Sequence, residues 1–135
     1  MKVVALDYGS ARTGVAVSDP TGTIARPLGV VERAGSDAGL TQLVELIRAH
    51  EAERVVVGLP LTLRGERGSQ AQETETFVEA LRGAVDVPVE SFDERFTTRL
   101  ARTSPGDSHL SEPDDARAAA HLLSSYLEWS SAGRE

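Results

Sequence analysis

The chain has 135 residues, 40% hydrophobic and 26% charged, the balance of a folded globular protein of one domain's size over residues 1–135, and no apolar run approaches membrane-spanning length. Its 21 acidic and 14 basic side chains give a net charge of −7, which excludes a protein that coats nucleic acid through bulk positive potential and leaves room for a local contact. Cysteine is absent, so disulfides and thiolate metal sites are excluded, and oxygen-preferring cations such as Mg2+ or Mn2+ become the natural metals.

In chain order, Val3 to Leu6 and Gly14 to Ser18 read as two strands joined by the turn-rich segment YGSART, a hairpin in which Gly9 and Gly14 are expected to take positive φ. The apolar run at the start is too short for a signal-peptide core, so a cytoplasmic location is expected. A third strand covers Ile24 to Val31, with Pro27 marking an edge or a bulge. Behind a cap at Ser36 and Asp37, the residues Leu40, Leu43, Val44 and Ile47 fall at helical spacing. RVVVGLP is a short buried strand stopped by Gly58 and Pro60. SQAQETETFVEALRG is a second helix with Phe77, Val78 and Leu81 inward and Gly83 at its end.

VPVESF is a further strand, running into Asp93 and Glu94. A short helix is expected over about Thr98 to Arg102, then a polar loop, TSPGDSHLSEP. The last helix presents Ala119, Leu122, Leu123, Tyr126 and Leu127 as a packed face, and Ser111 with Asp114 reads as its capping box. Strands that meander first and then alternate with helices imply an α/β fold with a mixed five-stranded sheet covered on both faces.

Acidic residues recur where a strand ends or a helix begins: Asp7, the Asp93–Glu94 pair, and Asp115 beside Asp114. An ionised carboxylate at the end of a buried strand is costly without a partner. Carboxylates gathered in one cleft repel one another unless their pKa values rise or divalent cations neutralise them. Mg2+ accepts such oxygens together with water and phosphate, and a pair of ions about 4 Å apart suits phosphodiester cleavage. Each residue also has a plain structural reading: Asp7 as a turn cap, Asp93 and Glu94 as partners of Arg95 or Arg99, and Asp114 and Asp115 as first-turn residues favoured by a helix dipole.

All basic residues except Lys2 are arginine, the side chain best suited to bidentate phosphate contacts. Arg64 and Arg67 stand between glycines in the loop LTLRGERGS, which suits either a nucleic-acid backbone contact or a solvated loop. His50, His109 and His121 share no ligand spacing. Aromatic residues are scarce, and no pair on a strand suggests a base-stacking platform.

The segments LDYGSARTGVAVSD, VVVGLPLTLRGERGSQ, FDERFTT and DDARAAAHLLSSYL, in this order and spacing, resemble the YqgF or RuvX family of pre-16S ribosomal RNA nucleases and Holliday-junction-resolvase-like proteins, over nearly the whole chain. The resemblance implies an RNase H-like fold and a nuclease dependent on Mg2+ or Mn2+. It implies action on the 5′ end of precursor small-subunit rRNA in ribosome biogenesis, with branched DNA as the alternative substrate. Matched position by position, the catalytic and metal-binding triad would be Asp7, Glu94 and Asp115, with Asp93 and Asp114 as further candidates. Asp7 would bridge two ions while Glu94 and Asp115 each hold one. Arg95, Thr97 and Thr98 match the remainder of the DERxTT motif and would orient the site or touch substrate.

Many relatives carry lysines before the last-helix aspartate, where this chain has SEPDD, so Arg12, Arg64, Arg67, Arg95 and Arg99 would supply the substrate's counter-charge. Expected partners are nucleic acid and ribosomal particles, with no membrane, and either a monomer or a homodimer. Two other classes fit parts of the pattern. The first segment also resembles the phosphate loop of the actin and sugar-kinase fold, but a chain this long has room for one such domain where ATP binding needs two. A ribosome-assembly module that binds RNA without cutting it would keep the same fold.

Overall fold

The computed structural model describes residues 1–60, 68–94 and 114–131. Five strands form one sheet: β1 (Val3–Asp7), β2 (Arg12–Ser18), β3 (Ala25–Glu32), β4 (Arg54–Leu59) and β5 (Val89–Asp93), in the spatial order β3-β2-β1-β4-β5. The first three meander antiparallel, and β4 and β5 add in parallel beside β1. Parallel neighbours require crossovers, which α1 (Asp37–Ala49) and α2 (Ser69–Arg82) supply. A third helix, α3 (Asp114–Ser131), follows β5.

Alternation along the strands divides the interior in two. Val4, Leu6, Val15, Val17, Val55 and Val57 pack with Leu43 and Ile47 of α1 and Phe77, Val78 and Leu81 of α2. Val3, Ala5, Ala16, Val56 and Phe92 point the other way and pack with Ala119, Leu122, Leu123, Tyr126 and Leu127 of α3. Both faces are therefore covered, as the sequence implies, and the α3 stripe is the one read from its spacing. Truncating a fully buried member such as Leu123 to alanine costs about 2–5 kcal/mol.

The start of α1 also matches: the Ser36 hydroxyl accepts from the Gly39 amide at 3.1 Å, and the Ser36 amide hydrogen finds the Arg33 carbonyl. At the edge strand, Val15 pairs with Gly29 but Ala16 pairs with Pro27. Leu28 is thus the extra residue of a bulge, which absorbs the proline's missing donor.

The structure departs from the sequence reading at several glycines. Gly22 is the one glycine with positive φ among the described residues, so Gly9 and Gly14 do not need that freedom. Gly58 does not stop β4; it pairs with Phe92 inside the strand, which continues to Leu59. Gly83 does close α2, as the sequence implies, in a right-handed conformation with φ −74. The expected helix over Thr98 to Arg102 and the Ser111 capping box lie outside the described residues. No helix among the described residues is long and apolar enough to cross a membrane.

Candidate active site

The carboxyl ends of β1, β4 and β5 and the first turn of α3 meet at one end of the sheet. Asp7 is the last residue of β1 and stands opposite Gly14 of β2. By alternation with Val3 and Ala5 it points to the α3 side. Gly14 points the same way, and its missing side chain is what admits the helix. A Cβ there would collide with the main-chain carbonyl of Asp115 and come within 3.1 Å of the Ala116 amide nitrogen. The first turn of α3 is thus pressed against the strand residue paired with Asp7.

Glu94 reaches the same end by a parallel device. Gly58 lies one step past Val57, the partner of Leu6 in β1, so it neighbours Asp7 across the sheet. The Glu94 side chain lies over it: a Cβ on Gly58 would be 2.7 Å from Glu94 Oε2 and 3.0 Å from Leu122 Cδ2 of α3. Two glycines on adjoining strands therefore flank Asp7, one receiving the helix that carries Asp115 and the other the carboxylate of Glu94. In the sequence they read as turn and stop residues. Gly58 carries a detectable signal, since it interrupts an apolar run, whereas Gly14 stands at the head of its run behind Arg12 and Thr13.

Asp93 and Asp114 are sorted differently. Alternation along β5, with Val89 in one core and Phe92 in the other, sends Asp93 to the side of α1 and α2, away from Glu94. Asp114 pairs with Arg117 one turn along α3, and its side chain is 90% exposed. Asp115 instead turns inward and takes the Arg12 guanidinium, with Nε 3.2 Å from Oδ2. Arg12 also borders an open groove with Val30, Glu32 and Gln42. Arg64, Arg67, Arg95, Thr97, Thr98 and Arg99, the other expected substrate contacts, lie outside the described residues.

The loop that follows Asp7 is anchored to α2. The Tyr8 ring stacks on Phe77, with centroids 4.5 Å apart, and its hydroxyl donates to Glu73 Oε2 at 2.9 Å. The Ser10 hydroxyl donates to the same oxygen at 2.6 Å. Burial, and then the bond to Glu73, push the Tyr8 phenol up to about 12. The Ser10 and Tyr8 hydroxyls hold the Glu73 carboxyl below its ordinary value. Within the turn, the Thr13 hydroxyl is buried and accepts from the Gly9 amide at 3.4 Å. Glu73 had no distinguishing mark in the sequence, because one exposed acid in an acidic helix is unremarkable.

Among the described residues, no three histidine, cysteine or acidic side chains are gathered closely enough to hold a metal ion by themselves. Mg2+ and similar ions need only one or two carboxylates, the rest of the shell coming from water and substrate phosphate. The donor set fits in kind: all-oxygen, from three separate elements, at one end of the sheet.

Comparison with known proteins bears on the family and the fold. A family profile described as "RuvX: Holliday junction resolvase" matches residues 1–129. A Syntrophomonas wolfei protein named as a pre-16S rRNA nuclease is 36% identical over 140 residues, covering 100% of this chain and 99% of its own. A Desulforudis audaxviator protein of the same name is 38% identical over 139 residues, covering 99% of each. Among solved structures, Thermus thermophilus RuvC in complex with a Holliday junction substrate superposes with a TM-score of 0.70 at 18% identity, covering 99% of this chain and 97% of that one. The fowlpox virus Holliday junction resolvase gives 0.55 at 14% identity, with 96% and 99% covered. At such identities the likeness concerns the fold, which is RNase H-like.

Proposed function

Because the chain belongs to the RuvX family, we propose that it is a divalent-metal-dependent nuclease whose substrate is the precursor of 16S rRNA, cut during 5′-end maturation. The single observation that supports this reading is the pair of glycines on the strands either side of Asp7, one packed against the Asp115 backbone and the other under the Glu94 side chain. A fold that only binds RNA gains nothing from carboxylates facing phosphate. The names of the relatives favour RNA over junction DNA.

In this reading Asp7, Glu94 and Asp115 would hold Mg2+ or Mn2+, which would supply Lewis-acid activation of a water and stabilisation of the leaving oxygen. The chain's own part is positional. Strand β1 fixes Asp7 in the centre of the sheet. Gly14 fixes the Asp115 backbone, and Gly58 with Leu122 confines the Glu94 side chain. The anchoring of Tyr8 and Ser10 on Glu73 holds the turn after Asp7 in place. Arg12 presents guanidinium donors beside the Asp115 carboxylate, where they would meet a phosphodiester.

The test is an assay of purified protein and its Asp7→Asn variant on labelled precursor rRNA and four-way junction DNA in parallel, with Mg2+, Mn2+ or chelator. The expected outcome is metal-dependent cleavage of the RNA, abolished by chelator and by Asp7→Asn with the melting temperature unchanged. Wild-type turnover in Asp7→Asn would remove Asp7 from the chemistry. RNA affinity without any metal-dependent product would identify a binding module, and preferential cutting of the junction would make the protein a resolvase.

A further inference from the structure

The ion pair between Arg12 and Asp115 is not an arbitrary surface contact. Arg12 opens β2 and Gly14 stands two residues on, so the two share the α3 face. Asp115 is held against Gly14 by its main chain, not by its carboxylate. The guanidinium and the carboxylate are therefore brought together by backbone packing, and the 3.2 Å contact uses the carboxylate proposed to ligate a metal. Arg12 stays 61% exposed and borders the groove of Val30, Glu32 and Gln42, so it has room to leave.

From this geometry we infer that Arg12 is the site's built-in counter-cation: it neutralises Asp115 until a divalent ion arrives, is displaced by that ion, and is then free for a substrate phosphodiester. The inference rests on the nuclease reading and adds a coupling to it. A cation and a guanidinium compete for one carboxylate, so each weakens the other's hold. The same positive charge also repels an incoming ion. Metal loading and phosphate capture are then linked through one side chain, since the Nε donor held by Asp115 reaches a phosphate only after the ion has displaced it. Before a divalent ion binds, Arg12 would leave the site with less net negative charge than its three carboxylates give it, which lowers the repulsion among Asp7, Glu94 and Asp115.

The test measures Mn2+ binding by titration calorimetry without nucleic acid, on the wild type, Arg12→Gln, Asp115→Asn and the double variant. Arg12→Gln is expected to bind Mn2+ about threefold to tenfold more tightly than wild type, the range set by a partly screened charge near a divalent ion. In the Asp115→Asn background the same change should give a clearly smaller gain, because only the through-space repulsion remains to be relieved. A purely structural role for Arg12 would lower stability without tightening metal binding. As a second readout, Mg2+ added to the wild type should move the Arg12 Nε resonance towards its position in metal-free Asp115→Asn. Equal or weaker Mn2+ binding by Arg12→Gln, or an Nε signal unmoved at saturating Mg2+, overturns the inference. If RNA is still cleaved in that case, the nuclease reading stands. Arg12-dependent Mn2+ binding in a protein that cuts nothing would instead sink the nuclease reading and leave the coupling.

Discussion

Replacing Gly58 by alanine separates the site's geometry from the protein's stability. The new methyl group would lie 2.7 Å from Glu94 Oε2, 3.0 Å from Glu94 Cγ and 3.0 Å from Leu122 Cδ2. Ordinary packing needs about 3.5 Å between carbons. Leu122 is nearly fully buried in the α3 core and gives little, whereas the Glu94 side chain can rotate away. Overpacking against Leu122 costs about 1–3 kcal/mol, offset by about 0.4–1 kcal/mol from the lower entropy of an unfolded chain without that glycine. The net loss is expected near 1 kcal/mol, a fall of roughly 3–5 °C in melting temperature for a chain of this size.

The effect on activity should be much larger. The carboxylate must retreat by most of an ångström, beyond the roughly 0.5 Å within which a catalytic group has to be held, and a 1 Å misplacement can cost about 100-fold. Cleavage of labelled precursor rRNA under single-turnover conditions is therefore expected to slow by at least tenfold at saturating Mn2+. In a Glu94→Ala background the same methyl group should cost nothing further, because the side chain it displaces is gone. A Gly58→Ala protein that cuts at the wild-type rate would refute the placement of Glu94 in the site.

Gly14→Ala acts on the backbone of α3 instead, and should cost both stability and at least as much activity, while Gly29→Ala on β3, with nothing within 4 Å, should leave both unchanged; melting curves and cleavage rates compare them. Neutralising Glu73 in Glu73→Gln should bring the Tyr8 phenol partway down from about 12, with burial keeping the remainder, as followed by the Tyr8 ring-carbon resonance on alkaline titration. Because the phenol is raised in the folded state, the protein should lose stability as pH rises from about 10 to about 12, and Glu73→Gln should narrow that window. Asp19 accepts from the Thr23 and Ile24 amides and the Thr21 hydroxyl, which hold its carboxyl well below the usual range. Its contribution is present at neutral pH and lost as pH falls below about 4, so the acid limb of unfolding should flatten in Asp19→Asn. Tyr126→Phe removes the hydroxyl that accepts from Arg54 Nη1 at 2.9 Å, leaving Glu90 at 3.5 Å, and should cost about 1 kcal/mol in denaturant unfolding.

Much of the fold was legible because hydrophobic period and local chemistry agree. Leu43 and Ile47 behind the Ser36 cap, and Leu122, Leu123 and Tyr126 along α3, announce one buried face each. Pro27 announced the bulge on the edge strand. The candidate acids were also visible, since Asp7 and Glu94 stand where a strand ends and Asp115 where a helix begins. Other features depend on partners distant in sequence. Gly14 reads as a turn residue until the Asp115 carbonyl is seen in its place, and Gly58 reads as a breaker until Glu94 lies over it. Asp93 and Glu94 are adjacent in sequence, and only the side each takes in the sheet distinguishes them. Glu73 joins Tyr8 and Ser10 across 65 and 63 residues, a link that no local pattern encodes.

Strand β1, which ends in Asp7, precedes every other described element, and the helix that presses Asp115 against Gly14 follows them all. The proposed site is thus a product of tertiary closure: a fragment lacking α3 would keep Asp7 and Glu94 and lose Asp115 and the partner of Arg12.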